Sequence, residues 1–366
     1  MKIIVASLGR AHLLDCAREL QAKGHDVVFY SATPPKNFIR YGLDYGGKSL
    51  IWYVFPFYIL KRLFPNNFTQ KLYRLSLDIL VKLLMTECDV FIAQSPNFQR
   101  SILSAKRKYN ALTILDRGST HVRSFNRLSA YYGKLPQSET YQRMDEYGYS
   151  IVDCITVASE FVFDTFKENF FDVNKIFINP YGVNLSMFYP VKCSNEFDCI
   201  IVGQWGTLKG CSVIVEAFKQ TSIKVLHVGA LTDMEFPQLD NFVHISAVPE
   251  TELINYYKKA KVFIFPSYND GYGLVLNQAV ACGLPIVCSK KSGGPTLKKM
   301  IRDEKYIYIM NEITTKELLQ GVDYALNIAA KQRGKRKYDI DIDDIISWKA
   351  YGERYHIFLE NKISSK

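Results

Sequence analysis

A strand, a glycine turn, a helix and a second strand follow one another at the N-terminus, and the same order begins again near residue 196. KIIVAS is a continuous apolar run, as a strand covered on both faces requires. LGR turns the chain, AHLLDCARELQAKG places apolar residues at helical spacing up to a glycine stop, and HDVVFYSA is the next strand. A crossover helix between two strands dictates a parallel sheet. DVFIAQ, ALTILD, CITVASE and IFINPYGV extend the series. The second half opens with the strand DCIIVGQ, the glycine loop GTLKG, the helix CSVIVEAFKQ and the strand KVLHVGA. FVHISA, a helix over 249–259, VFIFPS, a helix after Tyr272 and PIVCSK follow. The expected fold class is therefore α/β, with two Rossmann-like domains facing a central cleft. Residues 1–190 form the first, 191–340 the second, and NLSMFYPVKCSNEF is the linker. Residues 341–366 read as a C-terminal amphipathic helix packing back toward the first domain, with Trp348 in a core-packing role.

The 366 residues, 48% hydrophobic and 22% charged, fit two globular domains and exclude a disordered or fibrous chain. The formal charge is +10, of which +7 lies in residues 1–190. That excess suits an anionic partner: phosphate, nucleic acid or a membrane surface. The basic residues are dispersed and no RNP, KH or helix-turn-helix pattern occurs, so no nucleic-acid partner is expected. Eight scattered cysteines without a CxxC pair read as small buried hydrophobes in a reducing compartment. Met1 leads straight into a strand, and no apolar run approaches the ~20 residues that span a bilayer. A cytoplasmic location is expected, with peripheral membrane contact as its variant. Two readings fit SLIWYVFPFYILKRLF, flanked by Lys48 and containing Lys61 and Arg62: a buried helix and loop, or an amphipathic patch for a membrane surface or lipid-linked acceptor. KQRGKRK, 331–337, reads as a solvated charged loop.

Two glycine loops leave strands and enter helices. GQWGTLKG runs from Gly203 to Gly210 with Lys209 at its rim, and it is not a Walker A loop. Asp270, Gly271, Tyr272, Gly273 and Leu274 open the second helix. Backbone N–H groups at a helix start attract anions, and glycine removes the Cβ that would keep a phosphate away. Asp270 is either an N-cap or an acceptor for sugar hydroxyls. Gln278 falls about two turns on, roughly on the same face. Neither loop is GxGxxG with an acidic residue ~20 positions on, which excludes a dinucleotide-dependent dehydrogenase.

The second half resembles the nucleotide-sugar domain of GT-B fold glycosyltransferases, specifically the retaining family 4. The motifs are Gly203-Gln204-Trp205 with Lys209-Gly210; Pro266-Ser267; Asp270-Gly271-Tyr272-Gly273-Leu274; Gln278-Ala279; Cys282-Gly283-Leu284-Pro285; and Ser292 to Pro295. NPYGVNLSMFYP, from Asn179 to Pro190, resembles the family's domain junction. Three positions depart from the family pattern: Asp270 and Gln278 stand where Glu is usual, and Gln204 where a diphosphate-binding Arg is usual. Lys290 and Lys291 are candidates to replace the missing cation.

The resemblance implies transfer of a sugar from a nucleoside diphosphate sugar (UDP or GDP) to a hydroxyl of a glycan or glycolipid, with retention of anomeric configuration. Lys209 and the N–H groups from Gly271 to Leu274 would stabilise the leaving diphosphate. Asp270 would hold sugar hydroxyls, Gln278 the ribose, and the loop at Val248 and Pro249 the base. Gly9 and Arg10 would face the phosphates across the cleft. Arg117 falls where the family often has a histidine contacting the transferred sugar, and both it and His121 are placed in the cleft. The resemblance implies no enzymic nucleophile, with the leaving phosphate oxygen taking the acceptor proton, so no general base is assigned. No DxD-type cluster is placed for a metal, and no cofactor beyond the donor is expected. A non-catalytic sugar-nucleotide or glycan-binding protein of the same fold is the alternative.

Overall fold

The computed structural model describes residues 1–192, 194–302, 305–332, 338 and 341–365. Two parallel sheets form the frame. The first contains β1 (Lys2–Ser7), β2 (Asp26–Ser31), β3 (Gly47–Ser49), β4 (Val90–Gln94), β5 (Leu112–Arg117), β6 (Cys154–Val157) and β7 (Ile176–Ile178), in the order β3-β2-β1-β4-β5-β6-β7. The second contains β8 (Phe197–Val202), β9 (Val225–Val228), β10 (Phe242–Ile245), β11 (Ala260–Phe265), β12 (Ile286–Ser289) and β13 (Ile307–Met310), in the order β10-β9-β8-β11-β12-β13. In each sheet the order reverses beside the first strand, between β1 and β4 and between β8 and β11. Crevices that bind ligands open at such switch points, outside the carboxyl ends of the strands.

The central strands are covered on both faces, which is why they read as unbroken apolar runs. Ile3 to Ala6, Val90 to Ala93, Cys199 to Ile201 and Val262 to Ile264 are all buried. Helices begin where the sequence supplies side-chain caps: Ser159 accepts from Val162 N–H, Thr314 from Glu317 N–H, and Asn66 with Thr69 forms a reciprocal capping box. Seven of the cysteines are buried and free. Cys193 and 333–337 of the basic run lie outside the described residues.

The C-terminal segment is two helices, not one. Asp343–Ile346 ends at Ser347, whose extended backbone (ψ 158°) breaks the run, and the Ser347 side chain caps Trp348–Ser364. The break has a packing cause. The chain at Gly182 passes so close that a Cβ there would lie 2.5 Å from the Trp348 backbone, and Val183 N–H bonds Ile346 O at 2.8 Å. The long final helix then crosses to the first sheet, burying Tyr351, Tyr355 and Leu359 among Leu13, Leu14, Phe29 and Cys154. Gly352 allows that contact, since a Cβ would meet the Glu19 side chain at 2.5 Å. Val183 and Phe188 pack into the core of the second lobe. The helix expected over 249–259 is shorter: a 3-10 turn at Glu250–Glu252 and one turn at Ile254–Tyr257.

The aromatic segment departs most from the buried reading. Ile51–Leu63 is a helix in which Val54 alone is buried. Trp52 (74% exposed), Phe55, Ile59 and Leu63 (67%) face outward at i, i+3 and i+4 spacing, and so share one face. Phe68, Ile79 and Leu83 are exposed on the following helix, Asn67–Leu84, which packs against it. Among the described residues no helix is long and apolar enough to cross a membrane.

Candidate functional site

The carboxyl ends of the two sheets face each other across a cavity of about 560 Å³. The first lobe contributes His12 after β1, Gln94 at the end of β4, Asp116, Arg117 and Gly118 at the end of β5, and Tyr181 after β7. The second contributes Gly203, Gln204, Lys209, Asp270, Tyr272, Gly273 and Leu274, after β8 and β11. A smaller cavity of about 220 Å³ adjoins it through His12 and Leu274 and holds Arg10, Glu250, Gln278 and Trp348. A third, of about 820 Å³, continues past Arg10 and Glu250 to Tyr41 and Pro249. Together they make one groove from Lys209 to Pro249.

The lobes touch through backbone. A Cβ on Gly271 would lie 2.1 Å from Gly118 O, so only glycine lets the two loops meet. Ser159 Oγ donates to Gly271 O at 2.6 Å, Glu160 N–H donates to Thr296 Oγ1 at 2.9 Å, and Lys134 pairs with Asp233 at 2.7 Å.

At the start of helix Leu274–Ala281, Gly273 takes φ +81°, and the N–H groups of Gly273 and Leu274 make no hydrogen bond to a described residue. Lys209 Nζ donates to Asp270 Oδ2, and Asp270 Oδ1 accepts Tyr272 N–H at 3.1 Å. Asp270 thus both caps the turn and holds the lysine at the groove. The cradle expected at Gly210 does not open here. A Cβ on Gly210 would lie 2.1 Å from Pro266 O, Thr207 N–H already bonds Asp233 Oδ1, and neither Gly210 nor Cys211 lines the cavity. One helix start of the expected two is therefore presented.

Other sequence candidates divide. Gly203, Gln204, Lys209, Asp270, Tyr272, Gly273, Leu274 and Arg117 line the main cavity. Arg10 and Gln278 line the second, and Arg10 also ion-pairs with Glu250 at 3.5 Å and stacks on Tyr41. Gln278 Oε1 accepts from Tyr257 Oη at 2.9 Å, and its Nε2 points to Glu250 at 3.4 Å. Gly271 meets Gly118 rather than lining the cavity, and Tyr272 is buried with its hydroxyl on Asn277 at 2.8 Å. Pro249 lines the third cavity, whereas Val248 packs against the second lobe's core. Gly9 lines none of the described cavities.

Trp205 is a correction. Its side chain is fully buried, donates Nε1–H to Glu235 O at 3.1 Å and stacks near His227 and Phe236, so it is core and not cleft. His121 is a second. It caps the helix Val122–Tyr131 by accepting Arg123 N–H, packs against Tyr149 and Phe166, and lines no described cavity. Arg117 is held by Asp145 at 2.6 Å and by the carbonyls of Ser119 and Thr120, which makes it a buttress as well as a lining group. Burial pushes the Asp145 carboxyl up against the opposing pull of Arg117. Lys291 sits over Phe161 in a separate cavity, and neither it nor Lys290 reaches the main one. Trp348 borders the second and third cavities in addition to packing.

Sequence reasoning missed His12, Asp116, Tyr181 and Glu250. His12 Nε2 lies 2.6 Å from Asp116 Oδ1, and its ring packs on Tyr181 at 4.2 Å between centroids. Burial, then the charges of Asp116 and Asp270, push the Tyr181 phenol well up, so it is neutral.

Residues 189–338 match the family described as Glycosyl transferases group 1. The match covers most of the second lobe and none of the first. D-inositol 3-phosphate glycosyltransferase from Arthrobacter sp. (strain FB24) is 28% identical over 149 residues, 33% of this chain and 35% of that protein. The chain thus matches about a third of the length of such curated relatives. Sucrose-phosphate synthase from Thermosynechococcus elongatus superposes with a TM-score of 0.63 at 15% identity, over 100% of both chains. Anabaena HepE, solved with UDP and glucose, gives 0.63 at 12% identity, over 99% of this chain and 100% of that one. At such identities the likeness establishes the fold, which is that of the GT-B glycosyltransferases.

Two outcomes follow. Gly271→Ala is expected to hold the lobes apart and raise the radius of gyration measured by X-ray scattering; an unchanged value would contradict the glycine contact. Burial, reinforced by Arg117, pushes the His121 imidazole down to about 4 from the ordinary value of about 6.5. It is neutral when folded but takes up a proton on unfolding below 6.5, so stability is lost as pH falls from there toward 4. His121→Asn keeps a capping oxygen and should lose about 2 kcal/mol less unfolding free energy than wild type between pH 7 and 5. Equal losses would refute the assignment.

Proposed function

We propose that this chain is a glycosyltransferase that moves a sugar from a nucleoside diphosphate sugar to a hydroxyl of a glycan or lipid-linked glycan, with retention. The observation that carries the reading is the N–H pair at Gly273 and Leu274, which no described residue accepts, beside Lys209 at the junction of the two cavities. Negative charge grows on the diphosphate as the glycosidic bond breaks, and preorganised donors there lower the barrier without reorganising. The diphosphate charge falls to Lys209 and backbone rather than to a metal. On this reading the ribose lies at Gln278 and Glu250, the base toward Pro249 and the sugar toward Arg117. Glu250 supplies the carboxylate that position 278 lacks. HepE was solved with UDP, and UDP is the first nucleotide to test.

The acceptor half of the cavity lies beside the exposed apolar helices. Arg74, on Asn67–Leu84, sits 5.2 Å over the ring of Tyr141, which lines the cavity. Exposed Trp52, Leu63, Phe68 and Leu83, with Lys48, Arg62, Lys71 and Lys82 around them, suit an anionic bilayer surface that carries the acceptor.

A thermal-shift screen of UDP, GDP, ADP and their sugars tests the donor. A nucleotide at 100 times its Kd adds about 2.7 kcal/mol. Lys209→Ala removes a charge-assisted bond and should weaken that nucleotide about 10- to 100-fold; unaltered affinity would take Lys209 out of the site. The anomeric configuration of the product reads retention. Binding without transfer to any acceptor would favour the non-catalytic alternative. In sedimentation with phosphatidylglycerol vesicles the protein should bind, and Trp52→Ser with Leu63→Ser should weaken binding at least about 10-fold. Wild-type protein left in the supernatant would end the membrane reading.

A further inference from the structure

A further cavity between the lobes, of about 330 Å³, takes no part in the donor reading and is large enough for a small molecule. Ser119 and Asp270 line the main cavity, and their neighbours Thr120 and Asn269 line this one, so the two loops that meet at Gly118 and Gly271 wall both. The helices Val122–Tyr131 and Glu160–Lys167 supply the rest of the first lobe's side. Two hydroxyls there are already engaged. Thr165 Oγ1 donates to Val162 O at 2.6 Å and accepts His121 N–H at 3.0 Å; Ser124 Oγ accepts from Asn169 Nδ2 at 2.8 Å. Thr120 differs: it is 1% exposed, and its hydroxyl has no hydrogen-bond partner among the described residues. Such a group carries a desolvation cost that a ligand oxygen would remove. Two cations of the lining are also uncommitted. Lys291 Nζ lies 5.5 Å over the Phe161 ring, Arg127 donates to the Ser124 hydroxyl, and neither ion-pairs with a described residue. Glu168 is the one carboxylate in the lining, which leaves one net positive charge. Tyr131, 81% exposed, and Tyr268 add aromatic surface.

We propose that this cavity is a second ligand site, which takes an acidic sugar: a sugar ring bearing a carboxylate or a phosphate. Lys291 and Arg127 supply the charge that meets the acidic group. Thr120 and Glu168 supply partners for ring hydroxyls, and the aromatic faces suit the apolar C–H face of the ring. A bare anion would leave the aromatic surface unused, and a neutral sugar would leave the two cations unused. The inference goes beyond the donor reading and does not depend on it, since neither Lys291 nor Thr120 lines any part of the groove.

The test uses the full chain without nucleotide. Glucuronic acid, glucose 6-phosphate, glucose and inorganic phosphate are titrated in a calorimeter. At least one of the two acidic sugars should bind at one site per chain, about 10-fold or more tighter than glucose or phosphate; which of them binds identifies the acidic group. Lys291→Ala should weaken that sugar about 10-fold or more, and Thr120→Val about fivefold. Because the Thr120 hydroxyl is unpaired in the fold, Thr120→Val should melt no lower than wild type. Binding of neither acidic sugar, glucose or phosphate binding as tightly, unaltered affinity in Lys291→Ala, or a lowered melting temperature in Thr120→Val would each overturn the assignment. Repeating the titration with saturating UDP separates the two sites: the sugar should still bind, and its displacement would place it in the groove and overturn the second site. Wild-type protein that binds no UDP, GDP or ADP would fail the donor reading, while the sugar titrations still decide this one.

Discussion

Electropositive backbone at one helix start is the feature on which the groove is organised. Gly273 and Leu274 present N–H groups that no described residue satisfies, and Lys209 is tethered next to them by Asp270. In a cleft walled by protein, such donors act in a lower dielectric than water and need not be reoriented when an anion arrives. The rest of the groove can be measured from that point: Gln278 follows on the same helix, and the groove then passes Arg10 and Glu250 on its way to Pro249. The parallel topology makes this placement necessary, since both switch points open at the carboxyl edges of their sheets.

The two lobes share more than the cleft. Gly118 and Gly271 meet through main chain, and the final helix crosses from the second lobe to bury Tyr351 and Tyr355 against the first. A hinge that moves the lobes must therefore keep the helix seated on the first lobe and work around Gly182 and Ser347, where the chains cross. Closure around a bound donor would exclude water and limit hydrolysis.

Much of the frame was legible because buried parallel strands write themselves as unbroken apolar runs. KIIVAS, VFIAQ and VFIF are strands, and Asp270 to Leu274 open a helix at the cleft. Side-chain direction was less legible. Trp205 follows Gly203 and Gln204 into the loop, yet a large apolar ring gains more by filling the space near His227 and Phe236 than by lining a wet groove. His121 lies only four residues after Arg117, but the helix start at Val122 needs a cap and takes it. The exposed face of Ile51–Leu63 was open between two readings because it is apolar up to Lys61, and only Val54 is fully buried against the first lobe's core, with Ile51, Phe57 and Tyr58 partly packed on it. His12 with Asp116, and Gln278 with Glu250, were not legible: each pair is far apart in sequence and is joined only by the folded sheets and loops. A histidine two residues into a helix, by itself, carries no sign of its carboxylate partner.

The most direct measurement is a crystal structure with the nucleoside diphosphate that gives the largest thermal shift. Phosphorus atoms within reach of the Gly273 and Leu274 N–H groups and of Lys209 Nζ, with the ribose beside Gln278 and Glu250, are the predicted result. Phosphates bound at the Gly210 turn, or outside the groove altogether, would contradict it.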